Sequence, residues 1–170
     1  MRGPLSAAAW HWSCSADTVP GKRTFLNTEY FLTHLSTFDK PLRIAVIGGG
    51  PAGLMAAEVL ASAGPAVSVQ LFDAMPSVGR KFLLAGKGGL NLTHAEPMAL
   101  FAQRFGDEGA PLLPMIASFG PAEVRAWAAG LGVDTFVGSS GRVFPTDMKA
   151  APLLRAWLHR LRRAGVRFSM

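Results

Sequence analysis

A run of glycines between a buried strand and a helix constrains the fold of this chain more than any other feature. Residues 43–47, RIAVI, are short, apolar and partly β-branched, which is typical of a strand buried on both faces. The motif GGGPAG follows at 48–53, and helix formers then continue to Ala63 before a second apolar run, Val67 to Phe72. Strand, helix and strand within about thirty residues predict a βαβ unit with two parallel strands.

Three glycines of the motif each have a physical task in binding a dinucleotide. Gly48 permits the tight turn after the strand, Gly50 lets a pyrophosphate approach the backbone, and Gly53 lets helix and strand pack closely. The helix start at Ala52 directs unpaired N–H groups and the positive end of the helix dipole at the phosphates. Asp73 ends the second strand, where it can accept hydrogen bonds from an adenosine ribose. This carboxylate repels a 2′-phosphate and so disfavours NADP, but the motif leaves FAD and NAD open.

Further elements follow this unit. Residues 78–94 form a glycine-rich region without clear periodicity, and residues 151–164 carry an apolar face that predicts a helix. Proline starts and glycine ends also predict helices at 97–105, 111–119 and 121–131, and short strands are expected at 133–137, 143–144 and 166–168. The predicted fold is therefore α/β, a Rossmann-like nucleotide-binding domain with a parallel sheet.

Three stretches of the sequence resemble the BaiN-like NAD(P)/FAD-dependent oxidoreductases, bacterial flavoproteins of the glutathione-reductase-like superfamily. They are IGGGPAGLMAA from Ile47, GRKFLLAGKGGLNLT at 79–93 and GRVFP at 141–145. The first is shared with many flavoproteins, whereas the second is more specific. The similarity runs from Ile44 to the C-terminus and leaves the first forty residues uncovered.

The resemblance implies FAD as the cofactor, held at Gly48, Gly50, Gly53 and Asp73. It also implies that Arg80 and Lys81 lie near the phosphates or the ribityl chain, and that Gly88, Gly89 and Asn91 pass near the flavin ring. Where many relatives have glycine, arginine, cysteine and asparagine, this chain reads GGLN at 88–91. No role of that arginine or cysteine can therefore be transferred.

The function expected from this resemblance is hydride or electron transfer on a small-molecule substrate, with the flavin performing the chemistry. NAD(P)H is the electron donor by resemblance only, because the sequence has no second nucleotide motif. Two alternatives stay open, a nucleotide-binding module without catalysis and an NAD-dependent dehydrogenase. The sequence identifies no catalytic residue, substrate or oligomeric state.

Charge and cysteine content exclude several other classes. The net charge is +6, but basic and acidic residues balance up to Asp147, so the excess lies on residues 148–170. A basic helix face opposite an apolar stripe is usually solvated, so no nucleic-acid partner is expected. Cys14 is the one cysteine and the four histidines lack metal-ligand spacing, so we predict no disulfide, no metal site and a cytoplasmic location. No apolar run is long enough to span a membrane.

The expected organisation has three parts. Residues 1–40 form a poorly structured leader, and a chain that starts at Asp39 is expected to keep the same cofactor affinity, because residues 1–38 lack a core pattern. Residues 41–95 form the FAD-binding βαβ unit and cofactor loop, and residues 96–170 form a partial substrate-side region. Because the last predicted strand opens close to Met170 and a doubly wound sheet needs more strands, we expect the chain to be an N-terminal fragment that turns over poorly alone.

Overall fold

The computed structural model describes residues 40–170, and residues 1–39 of the predicted leader lie outside the described residues. The strands are β1 (Leu42–Ile47), β2 (Val67–Phe72), β3 (Thr93–His94), β4 (Thr135–Val137), β5 (Arg142–Pro145) and β6 (Arg167–Ser169). The α-helices are α1 (Pro51–Ala61), α2 (Arg80–Ala85), α3 (Met98–Gln103), α4 (Leu113–Ser118), α5 (Pro121–Gly130) and α6 (Ala150–Arg163). Two 3₁₀ helices lie at Gly64–Ala66 and Asp107–Leu112.

The first sheet is parallel and has the strand order β1-β2-β6. Ile44 stands opposite Val69 in the β1–β2 pair, and Gln70 stands opposite Arg167 in the β2–β6 pair. Because α1 connects two neighbouring parallel strands, the βαβ unit predicted from the glycine motif is confirmed. The chain leaves this sheet after β2 and returns to it only at β6.

One face of the first sheet carries the core. Val69 and Leu71 of β2 are buried there together with Leu54 of α1. Helix α6 adds the stripe predicted from its sequence, because Leu153, Leu154, Trp157 and Leu161 are all buried in the same cluster. Burial of a large apolar side chain contributes about 1.5–3 kcal/mol, so this stripe is a principal support of α6.

The opposite face of the first sheet is more open. Ile47 at the end of β1 is 80% exposed, and its neighbour in the pair, Phe72, is exposed as well. Two polar pairs lie on this face, since the Gln70 side chain donates to the Ser169 hydroxyl and Arg167 donates to the Ser68 hydroxyl. The two faces of one sheet thus differ in composition, as strand alternation requires.

The second sheet is small and antiparallel, with the order β3-β5-β4. Thr93 pairs with Val143, and Phe136 pairs with Phe144. A backbone hydrogen bond of 2.9 Å from Leu92 N–H to the Val143 carbonyl extends the β3–β5 pairing toward the preceding loop. This sheet therefore positions residues 88–92.

Two local predictions were wrong. Residues 78–94 were expected to be irregular, but they contain α2 and the strand β3. The helix expected over 111–119 is split, because Asp107–Leu112 is a 3₁₀ helix and α4 starts at Leu113. Pro114 has no N–H to donate to the preceding turn, so the α-helical ladder begins again at this point.

A division of the chain at residue 95 stays a prediction. The first sheet takes strands from both sides of that position, because β6 pairs with β2. The buried core likewise joins Leu54 and Val69 from one side to Trp127, Leu153 and Val166 from the other.

Candidate functional site

The glycine motif forms a turn at the carboxyl ends of β1 and β2. Gly48 adopts a φ of +103°, which side-chain-bearing residues rarely adopt. Its N–H donates to the Phe72 carbonyl over 2.8 Å, and the N–H of Gly49 donates to Asp73 Oδ2 over 2.7 Å. The turn is therefore fixed to the end of the neighbouring strand by its own backbone.

Gly53 and Gly49 are required by close contacts. A Cβ on Gly53 would overlap the carbonyl oxygen of Gly48, so helix α1 lies directly against the turn, as predicted. A Cβ on Gly49 would overlap the side chain of Val78. The motif by itself predicts no task for Gly49, because Val78 comes from a segment whose position the motif does not encode.

Gly50 stands in a different environment. It is the N-cap of α1 with ordinary extended angles, φ −77° and ψ 178°, and a Cβ there would meet no heavy atom within 4 Å. The N–H groups of Ala52 and Gly53 belong to the first helical turn, where no intrahelical acceptor exists. No acidic side chain occupies this turn. The helix end therefore presents backbone donors and a positive dipole to open space.

Asp73 stabilises the turn from the second strand. Its Oδ2 accepts from Gly49 N–H and its Oδ1 accepts from Met75 N–H over 2.8 Å. The hydrogen bond from Met75 is the main cause that lowers the pKa of Asp73, followed by the bond from Gly49, and the positive charge of Arg80 adds to the effect. Asp73 is ionised at neutral pH, and a carboxylate with two accepted bonds keeps further lone pairs for a ligand hydroxyl.

Helix α2 is attached to this turn at its start. Gly79, the N-cap of α2, has a φ of +71°, and its N–H donates to the Gly49 carbonyl over 2.7 Å. A Cβ on Gly79 would approach Leu154 Cδ2 to 2.6 Å, so the same glycine also packs on α6. Arg80 and Lys81, in the first turn of α2, have exposed side chains.

The far end of α2 leads to the other predicted site residues. Gly88 is exposed and has free space where a Cβ would stand, whereas Gly89 has a φ of +118° and lies against Met148. Asn91 is exposed between Leu90 and Leu92, whose N–H groups are both bonded to the segment 143–148.

The predicted site residues thus form two groups along α2. The group at the start of the helix contains Gly48, Gly50, Ala52, Gly53, Asp73, Arg80 and Lys81, and the group at its end contains Gly88, Gly89 and Asn91. Helix α2, with six residues and a length of about 9 Å at 1.5 Å per residue, lies between the glycine turn and Gly88 along the chain.

Glu58 is a polar residue that the sequence analysis missed. Its Oε2 accepts from the indole N–H of Trp157 over 2.5 Å and from that of Trp127 over 3.2 Å, and its Oε1 lies 2.5 Å from Arg160 Nη2. Burial lowers the pKa of Arg160, and the charge of Glu58 opposes that effect. The signal available in the sequence was weak: Glu58 is the one charged residue of α1. Trp127 and Trp157 are both buried.

His94 lies in the second sheet. The His94 ring lies 3.1 Å from the Ser140 carbonyl through Nε2 and accepts from Glu96 N–H through Nδ1, so it connects β3 to the turn before β5.

Among residues 40–170 no group of three or more metal-ligating side chains comes together. Within the same range, none of the helices has the length and apolarity to cross a membrane.

Comparisons with known proteins identify relatives over most of the chain. A family model described as the HI0933-like protein Rossmann domain matches residues 42–170. The 3-dehydro-bile acid delta(4,6)-reductase of Clostridium scindens is 30% identical over 126 residues. That match covers 74% of this chain, and the chain spans 30% of the length of that relative. The crystal structure of THI4 from Thermovibrio ammonificans is similar with a TM-score of 0.44 and 20% identity, over 83% of this chain and 42% of that one.

Proposed function

The chain belongs to the HI0933-like Rossmann family, and from this premise we propose that it forms the FAD-binding part of an oxidoreductase. The observation that carries the proposal is the open end of α1 at Gly50. In a turn where Gly49 and Gly53 are packed against neighbours, Gly50 alone of these three has free space in front of it. A pyrophosphate needs such space, because it must approach the backbone donors directly.

The residues present fit this cofactor in three further respects. Ala52 and Gly53 supply N–H donors at the positive end of the helix dipole. Asp73 is an ionised acceptor beside the turn, which suits ribose hydroxyls and disfavours a 2′-phosphate. Arg80 and Lys81 add exposed positive charge at the start of α2, the end that is attached to the glycine turn.

The second group of residues supports FAD rather than a smaller nucleotide. Gly88, Gly89 and Asn91 follow the other end of α2, a helix of six residues that is about 9 Å long at 1.5 Å per residue. A ligand that contacts both groups has a phosphate region and a further part at a distance from it. Bound FAD would supply hydride and electron transfer, while this chain binds the cofactor, orients it and shields part of it from water.

The reductase activity of the Clostridium scindens relative favours an oxidoreductase over a binding module without catalysis. Because this chain spans 30% of that relative, turnover, the substrate and the use of NAD(P)H are proposed for the whole protein to which these residues belong. A small-molecule substrate in a cytoplasmic, bacterial setting completes the proposal.

The experiment that tests the proposal is calorimetric titration of the purified chain with FAD, FMN and NAD. We expect saturable binding of FAD at one site, and weaker binding of NAD and FMN, since each lacks part of the ligand that the two groups contact. The variant Gly50→Val is the matched control, because its side chain enters open space and should abolish FAD binding without changing the fold.

Three results would contradict the proposed function, each in a different part: the cofactor, its site or its catalytic use. Tighter binding of NAD than of FAD would favour the dehydrogenase alternative. FAD binding that survives in Gly50→Val would place the cofactor elsewhere. Bound FAD that NAD(P)H fails to reduce under anaerobic conditions, in the chain and in the whole protein alike, would favour the module without catalysis.

A further inference from the structure

Met148 has an unusual backbone conformation. Its φ is +62°, and it is the one residue other than glycine with a positive φ in the described part of the chain. Glycine adopts this region freely, and asparagine or aspartate adopts it with local hydrogen bonds, but methionine gains neither advantage. Such strain persists where the surrounding structure imposes it, and it is found disproportionately at functional sites.

The backbone of Met148 fixes the loop that contains Gly88, Gly89 and Asn91. The Met148 carbonyl accepts from Leu90 N–H over 3.0 Å, and the Met148 N–H donates to the Pro145 carbonyl over 2.8 Å. The strained turn after β5 therefore places an acceptor where the loop needs one.

The side chain of Met148 contacts the same loop. A Cβ on Gly89 would lie 2.7 Å from Met148 Cε, so the terminal methyl lies on the α-carbon of Gly89. The ring of Phe144 approaches the same position to 3.8 Å, and Phe144 in turn lies 5.8 Å from Phe136 between ring centroids.

This contact is not ordinary core packing. Met148 is 36% exposed, so its side chain contacts Gly89 near the surface and not in the buried core. Replacing Met148 with glycine would relieve the backbone strain at this position and would leave no cavity in the buried core. Folding alone therefore does not require methionine here.

We propose that Met148 is a positioning residue for the FAD site: its carbonyl and its methyl together hold the Gly88–Asn91 loop in the shape in which the loop contacts the cofactor. The inference rests on the proposed FAD site. The strain at Met148 is retained because a residue with a relaxed backbone at this position, such as glycine, would lack the side chain that contacts Gly89.

The test compares Met148→Gly with Met148→Leu and with Met115→Ala, a methionine of α4 that is 46% exposed and distant in sequence. Amide hydrogen exchange at Leu90, the melting temperature without ligand, the FAD dissociation constant and the visible spectrum of bound FAD are measured for each. For Met148→Gly we expect faster exchange at Leu90, an unchanged or higher melting temperature and a shifted flavin band. Its dissociation constant should rise about tenfold, because the loop must then be ordered on binding.

Met148→Leu should retain most of the affinity, since it keeps an apolar side chain over Gly89, and Met115→Ala should change none of the four measurements. A lower melting temperature with unchanged affinity and spectrum would show a purely structural role and overturn the proposal. Slow exchange at Leu90 in Met148→Gly would overturn it as well. If the native chain binds no FAD, the proposed function fails first and the role of Met148 fails with it, whereas native binding with an unaffected variant rejects only the latter.

Discussion

The two ends of helix α1 are built on opposite principles. At its start, Gly50 and Gly53 contribute backbone alone, and the space in front of Gly50 is open. Two turns later, Glu58 is enclosed by side chains from α5 and α6, with two indole donors and a guanidinium on one carboxylate. One end of the helix leaves its polar groups available, and the other end pairs them.

The difference separates an end that leaves backbone donors open to a ligand from an end whose paired groups support the fold. Unpaired N–H groups at a helix start are tolerated in open space because water or a ligand satisfies them. The carboxylate of Glu58 is only 22% exposed and therefore needs its partners from the protein itself. Hydrogen bonds to charged groups contribute about 1.5–3 kcal/mol each, and partial exposure of both ions lowers that figure here.

The largest expected effect is a difference in stability between variants of two glycines of the same turn, Gly53 and Gly50. Gly53→Ala should destabilise the chain by about 3 kcal/mol or more, because its Cβ would overlap the Gly48 carbonyl and backbone atoms cannot move aside easily. Gly50→Ala should cost less than about 1 kcal/mol, the usual loss at an N-cap position. Urea denaturation followed by far-ultraviolet circular dichroism measures both, and equal losses would contradict the contrast within the turn.

A second prediction concerns the closed end of the helix. Glu58→Ala should lower the free energy of unfolding by about 2–3 kcal/mol, because it leaves two indole N–H groups and a partly buried guanidinium without their acceptor. Glu58→Gln is the matched control, since its amide oxygen can still accept from an indole, and it should lose less. Cofactor affinity should stay unchanged in Glu58→Gln. A loss of affinity without a loss of stability would place Glu58 in the binding site.

A smaller effect is expected at Asp73, whose carboxylate stabilises the turn at the open end of α1. Hydrogen bonds from Met75 and Gly49 lower the pKa of Asp73 in the folded chain. The bonds therefore stabilise the fold fully above the unfolded value of about 3.9, and this contribution is lost as the pH falls through the lower folded pKa. The stability difference between the native chain and Asp73→Asn should be present at pH 7 and should shrink below pH 4. A difference independent of pH would reject this linkage.

The sequence predicted the open end of α1 well and the closed end poorly. The turn, the helix start and the two strands follow from neighbouring residues, because a tight turn between a strand and a closely packed helix imposes a fixed local order of glycines on the chain. Glu58 meets Trp127 and Trp157 across 69 and 99 residues, and no local pattern encodes that meeting. The apolar stripe of α6 was correct because helical period alone identifies it.

Helix α2 and the strain at Met148 were missed for a related reason. The glycines of residues 78–94 suppress helical periodicity, and α2 is held in place by Gly79, which bonds to Gly49 and packs on Leu154. Met148 gives no sign in the sequence, since methionine does not indicate a left-handed backbone. Its conformation follows from the contacts of the folded chain with Pro145 and Leu90.

The most direct test of the account is a ¹⁵N–¹H correlation spectrum of this chain recorded during titration with FAD. The backbone amides of Ala52 and Gly53 should shift strongly, because they donate into the open space at the start of α1. The indole N–H signals of Trp127 and Trp157 should stay in place, because Glu58 already holds them at the closed end. Shifts at the two indoles with unmoved amides at Ala52 and Gly53 would contradict the central claim that this helix binds the cofactor with one end and supports the fold with the other.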